Sequence, residues 1–139
     1  MTGAKLTAAQ LRRIQKALGT VPFAQLLGIE LDDIGPGTAT LSLLVRKELT
    51  QNHGVVHGGA IASLIDTATA FAIISVLAPK ERVTTVDLTI SYLRPLTGGR
   101  VKAIAKVLRA GRRLFVVSAD IFDKDGKLTT TALSTYIKL

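Results

Sequence analysis

Between His57 and Pro79 the chain carries one ionisable residue, Asp66, in a run of Ala, Ile, Leu, Phe and Val that no proline interrupts. That run predicts a single long helix from Gly58 to a stop at Ala78-Pro79. Ala60, Ile61, Ala62, Leu64, Ile65, Ala68, Ala70, Phe71, Ala72, Ile73, Ile74, Val76 and Leu77 make it apolar almost all round, which predicts burial on every side. Asp66 is the anomaly, because an isolated carboxylate is costly to bury without a partner.

Just upstream lies a polar, turn-like cluster, Gln51-Asn52-His53-Gly54, followed by His57-Gly58-Gly59 where the helix begins. Both histidines of the protein fall here. Glycines allow a ligand close to the backbone, and the free N–H groups of a helix start suit an anion or a developing oxyanion.

The 58–78 segment is long and apolar enough to raise a transmembrane reading. Asp66 opposes it, at a cost of about 2.5 to 3.5 kcal/mol near mid-membrane. The rest of the chain is sheet-like and would lose its packing partner, so no membrane association is expected. The N-terminal stretch MTGAKLTAAQLRRIQKAL has no apolar core of the signal-peptide kind, which leads to the expectation of an unexported cytoplasmic protein. With no cysteine in the chain there is no disulfide, thiolate ligand or thiol nucleophile to consider. The net charge of +8 would attract a polyanion. The basic residues are dispersed, with few aromatics between them and no nucleic-acid motif, so a phosphorylated small molecule at a local cluster is the expected partner and nucleic acid is not.

In chain order, residues 7–18 read as an amphipathic helix with Leu11, Ile14 and Leu18 on one face, ended by Gly19. A short helical turn at 22–27 leads to strands at 29–34 and 38–45 around Gly35-Pro36-Gly37. After the central helix the period changes to two. Val86, Leu88, Ile90 and Tyr92 alternate with Thr85, Asp87, Thr89 and Ser91. Val101, Ala103, Ala105 and Val107 define the next strand, Phe115, Val117, Ala119 and Ile121 a further one, and an Asp-Gly turn precedes the last at 128–137. Short turns between these four imply an antiparallel meander. The predicted fold class is α+β: a long central helix wrapped by a curved antiparallel sheet of five to six strands. One sheet covers only one side of the helix, so the uncovered side and the edge strands invite a second copy.

The stretches NHGVVHGGAIASLID, TTVDLTISYLRP and VLRAGRRLFVVSADIFDKDGKL resemble the hot-dog-fold acyl-CoA thioesterases, specifically the PaaI-like group of the phenylacetate pathway. The resemblance covers about 20–139, leaving 1–19 as an N-terminal amphipathic helix. It implies hydrolysis of an acyl- or aryl-CoA thioester to the free acid and CoA, with no metal and no cofactor, coenzyme A being part of the substrate. It places the catalytic carboxylate, as general base or nucleophile, on Asp66, and the helix-start N–H that polarises the thioester carbonyl on Gly58. His57 precedes that glycine. The site amide falls on Gln51, with Asn52 as the alternative, and the hydroxyl that helps hold water on the next strand falls on Thr85. Substrate contacts fall on Gly59, Tyr92, Arg94, Gly111, Arg112 and Arg113, the arginines toward phosphate. A homodimer as the minimal unit, joined into a homotetramer, completes the implication.

The chemistry stands beside the resemblance. A thioester is already electrophilic, so its hydrolysis needs a positioned water or carboxylate and a donor aimed at the developing oxyanion. Gly58 and Asp66 are eight residues apart, about 12 Å along one helix, whereas both groups must come within about 3 Å of the reacting centre. A two-fold dimer resolves this by setting Asp66 of one subunit against Gln51 and Gly58 of the other.

Each residue also has a plainer role open to it. Asp66 could be a structural carboxylate, His57 a cap, Gly58 and Gly59 points of close packing, Thr85 a β-former, and Arg112 and Arg113 solvated surface. Two other functions share the fold: a hydratase or dehydratase acting on an acyl thioester, and an acyl-CoA sensor that binds without turnover.

Overall fold

Helix α3 (Gly58–Ile74) is the element the sheet wraps. The computed structural model describes residues 5–139, so the first four residues of the predicted N-terminal segment lie outside the described residues. Leu64, Ile65, Ala68 and Ala72 of α3 are fully buried, and each large aliphatic chain so buried contributes about 1.5 to 3 kcal/mol. The helix ends before the predicted stop. Ser75 turns its hydroxyl back to donate to the Ala72 carbonyl at 2.6 Å and accepts from the Gly37 N–H at 2.7 Å, and the chain tightens there, the Val76 and Leu77 N–H groups donating to the Ile73 and Ile74 carbonyls three residues back. No helix among the described residues is long and apolar enough to cross a membrane.

Burial of α3 is one-sided, contrary to the expectation of cover all round. Ala62, Ser63, Asp66, Thr67 and Ala70 form a stripe of small and polar residues that stays half-open in a single chain. Before α3 come α1 (Ala8–Gly19) and α2 (Pro22–Leu27). α1 opens with a reciprocal cap between Thr7 and Gln10 and sends Ile14 and Leu18 into the same core as α3.

The sheet has six antiparallel strands: β1 (Glu30–Gly35), β2 (Thr38–Leu44), β3 (Val83–Tyr92), β4 (Arg100–Ala110), β5 (Leu114–Phe122) and β6 (Leu128–Lys138), in the order β1-β2-β4-β5-β6-β3. The meander holds for β4, β5 and β6 as predicted. β3 does not join it beside β4 but lies on the far side of β6. Residues 93–99 are therefore a crossing rather than a tight turn. Leu96 is buried along the way and accepts from the Val56 N–H at 2.7 Å, and Gly99 accepts from the Val45 N–H at 3.0 Å on arrival at β2.

Val101, Ala103, Ala105 and Val107 of β4 and Phe115, Val117, Ala119 and Ile121 of β5 all face the core. In β3 the predicted alternation fails at Thr85 and Val86. A bulge between Thr85 and Asp87 leaves Val86 54% exposed, and the phase shift turns Thr85 inward together with Leu88 and Ile90. β3 ends the sheet, and its outer edge has no strand partner among the described residues.

Candidate active site

The α3 N-terminus is built by a small closed loop. Thr50 and Val56 form an isolated bridge, the Gln51 N–H donates to the Val55 carbonyl at 2.8 Å and the His57 N–H to the Leu49 carbonyl at 2.8 Å. The intervening turn puts His53 at φ 68, a left-handed conformation rare for a residue with a side chain. His57 then caps the helix: its Nδ1 accepts from the Gly59 N–H at 2.8 Å. This is the plainer of its two roles, and it consumes the Gly59 donor. A Cβ on Gly59 would stand 2.9 Å from that Nδ1, so glycine is what lets the imidazole sit over the helix start. The Gly58 N–H makes no hydrogen bond among the described residues. It remains available as a donor carrying the partial charge of the helix end.

That donor opens into a cleft of about 350 Å3 lined by Gln51, Val56, Gly58, Ile61, Tyr92 and Arg94. Tyr92 closes one side and donates its hydroxyl to the Gly58 carbonyl at 3.0 Å. Asn52 is exposed in the preceding turn and does not line this cleft.

Asp66 lies in a second cleft, of about 400 Å3, with Ala70, Arg82, Thr84, Thr85 and Tyr136 on its walls. Its Oδ1 accepts from the Thr85 hydroxyl at 2.9 Å and from the Tyr136 hydroxyl at 3.1 Å. Oδ2 takes no hydrogen bond among the described residues. Tyr136 is 2% exposed. Burial pushes its phenol well above the usual tyrosine range, opposed by the neighbouring Thr69 and Thr85 hydroxyls and reinforced by the Asp66 charge, so it stays protonated and donates.

Sequence reasoning missed Tyr136 and Arg82. A signal for Tyr136 existed: it falls in phase with Ala132 and Ser134 on the inner face of β6, and a buried phenol needs a polar partner. Asp66 is the inward carboxylate that supplies one.

The remaining predicted contacts divide between the two ends of the sheet. Leu114 pairs with Ile137 and Ile137 with Thr84, so the Arg112-Arg113 turn lies at the end of β3 that borders the Asp66 cleft. Tyr92 pairs with Thr130 at the other end, about 26 Å away over eight residues of strand. Arg112 and Arg113 are exposed and form no ion pair among the described residues. The Gly111 N–H is committed to the Leu114 carbonyl at 2.8 Å, and a Cβ there would stand 2.7 Å from the same oxygen. A single chain thus brings together Asp66 and Thr85, and separately Gln51, Gly58, Tyr92 and Arg94, but does not bring the two sets to one point.

The family model described as the thioesterase superfamily matches residues 53–130, spanning the α3 start, Asp66, Thr85 and most of the sheet. The chain belongs to the thioesterase superfamily. Together with its acyl-CoA thioesterase relatives, membership makes it a thioester hydrolase. The medium/long-chain acyl-CoA thioesterase YigI of Salmonella typhimurium is 30% identical over 84% of this chain and 85% of that protein. Among solved structures, a thioesterase family protein from Silicibacter pomeroyi superposes with a TM-score of 0.88 at 28% identity, covering 94% of this chain and 98% of that one. A variant of the phenylacetic acid degradation protein PaaI from Thermus thermophilus gives 0.78 at 29% identity, with 85% and 99% covered. These likenesses place the thioesterase among the PaaI-like hot-dog proteins, in agreement with its six-stranded sheet and the long helix packed against it.

Proposed function

We propose that the protein hydrolyses acyl-CoA thioesters at a site shared by two subunits. In this reading the Gly58 N–H of one subunit, with the Gln51 amide beside it, polarises the thioester carbonyl and holds the oxyanion as it forms. Asp66 of the other subunit presents Oδ2, either taking the proton of the attacking water or attacking the carbonyl itself. Thr85 holds Oδ1 and keeps the carboxylate in place. CoA leaves as the thiol, and no cofactor is needed because the CoA is part of the substrate.

The observation that carries the reading is the separation of donor and carboxylate into two clefts of one chain. The free edge of β3 supports its resolution. An antiparallel pairing of β3 with a second β3 sets the Thr85 end of one strand beside the Tyr92 end of the other. It also covers the exposed Val86, relieves an unpaired edge, and lays the open stripe of α3 against its counterpart. The same operation brings Arg112 and Arg113 of one subunit toward Arg94 of the other, a basic rim suited to the CoA phosphates. Ile104 and Leu133, 45% and 48% exposed on the outer sheet face, suit the joining of dimers into a tetramer. The acyl-CoA class is supported by the likeness to the Salmonella typhimurium enzyme.

Free-thiol release from phenylacetyl-, benzoyl-, hexanoyl- and decanoyl-CoA, by wild type and by Asp66→Ala, tests this. The expected result is turnover of at least one member by the wild type and a loss of at least about a hundredfold in the variant. Binding of these thioesters without release of CoA by the wild type would point instead to a sensor.

A further inference from the structure

The Asp66 carboxylate is held on one oxygen only, and two elements remote in sequence do the holding. Thr85 comes from β3 and Tyr136 from β6, and both hydroxyls reach Oδ1, at 2.9 and 3.1 Å. Thr85 and Tyr136 both bear on Oδ1, Tyr136 dividing its one proton between that oxygen and the nearer main-chain carbonyl, and neither reaches Oδ2, which keeps its acceptor capacity. Tyr136 is the more constrained of the pair. It is almost fully buried, its phenol oxygen lies 2.8 Å from the Thr69 hydroxyl, and its single proton is shared between Oδ1 and the main-chain carbonyl of Asp66 at 2.8 Å. Thr69 is itself fully buried and tied to the Ile65 carbonyl at 3.0 Å. The outcome is a cluster of two buried hydroxyls, Thr69 and Tyr136, anchored in the core beside the carboxylate.

We infer that Tyr136 is a positioning residue for thioester hydrolysis, which fixes the rotamer of Asp66 so that Oδ2, and not Oδ1, faces the substrate. This rests on the assignment of Asp66 as the reacting carboxylate. A phenol that stays protonated is suited to the task, since it can only donate to the anion and cannot compete with it for a proton. The burial of its ring between α3 and the sheet makes the anchor rigid, and a misplacement of about 1 Å at a reacting group is enough to cost about a hundredfold in rate.

The test is a double-mutant cycle in single-turnover and steady-state hydrolysis of one acyl-CoA substrate, using wild type, Tyr136→Phe, Asp66→Asn and the double variant. Tyr136→Phe keeps the ring and removes only the hydroxyl. The expected result is a fall in kcat of about ten- to a hundredfold with KM within about twofold, and no further fall when the same substitution is made in Asp66→Asn. Equal losses in both backgrounds, or full activity of Tyr136→Phe, overturn the inference while leaving Asp66 in place. Full activity of Asp66→Asn removes the underlying site assignment and the inference with it. Should Tyr136→Phe not fold, Thr69→Val carries the same cycle, because it removes the neighbouring hydroxyl without touching the ring; its loss must likewise vanish in Asp66→Asn.

Discussion

The Thr85 hydroxyl donates to Oδ1 of Asp66 at 2.9 Å, joining an edge strand to the central helix across nineteen positions of sequence. The bond exists because the β3 bulge turns Thr85 inward at the level where α3 presents its one carboxylate. Replacing the hydroxyl by a methyl of the same shape isolates the bond. Thr85→Val is expected to lower kcat about tenfold, the scale of a lost charge-assisted hydrogen bond, and Thr85→Ser to restore most of it. Steady-state kinetics on the best substrate of the panel checks both.

The two glycines at the start of α3 separate by function. A Cβ on Gly58 would meet Tyr92 at 3.4 Å, an ordinary contact, so Gly58→Ala is expected to fold normally. The added methyl enters the cleft beside Tyr92 and crowds the place where the N–H would receive the carbonyl, and activity is expected to fall by up to about a hundredfold, the scale of losing an oxyanion donor. Gly59→Ala instead collides with the His57 imidazole at 2.9 Å. It is expected to act as His57→Ala does, removing the cap at a cost of about 1 kcal/mol of stability. Urea unfolding of the three variants distinguishes the two effects.

Burial raises the Tyr136 phenol above its value in the unfolded chain. The native state therefore holds the phenol proton where the unfolded state has begun to release it, and stability falls as pH rises above about 10, the unfolded tyrosine value. Below that pH the contribution is fully present. Thermal melts between pH 8 and pH 11 are expected to show a steeper alkaline decline for wild type than for Tyr136→Phe, which has no phenol to titrate.

The long helix was legible because its apolar run is too long for a strand and holds no proline, and the inner faces of β4 and β5 because alternation reports burial directly. The neighbour of β3 was not, since period two says which side chains face inward but nothing about which strand pairs with which. Residues 93–99 read as a turn although they cross to the other side of the sheet. Val86 broke the pattern for a local reason: one extra residue at a bulge reverses every face beyond it. Around the site, Asp66 stood out by charge and Gly58 by its position at a helix start. Tyr136 lies 70 residues from Asp66 in sequence, and its contact needed the fold to become visible.

The central claim is that one thioester is served by Gly58 of one subunit and Asp66 of another, and subunit mixing tests it most directly. Asp66→Asn and Gly58→Ala, each impaired alone, are unfolded together and refolded as a mixture, and CoA release is measured against each refolded separately. In a mixed dimer one site inherits both defects and the other inherits neither. With random pairing, half the dimers are mixed, and the account predicts recovery of about a quarter of the wild-type rate. Activity of the mixture no higher than the mean of the two separate variants would contradict it.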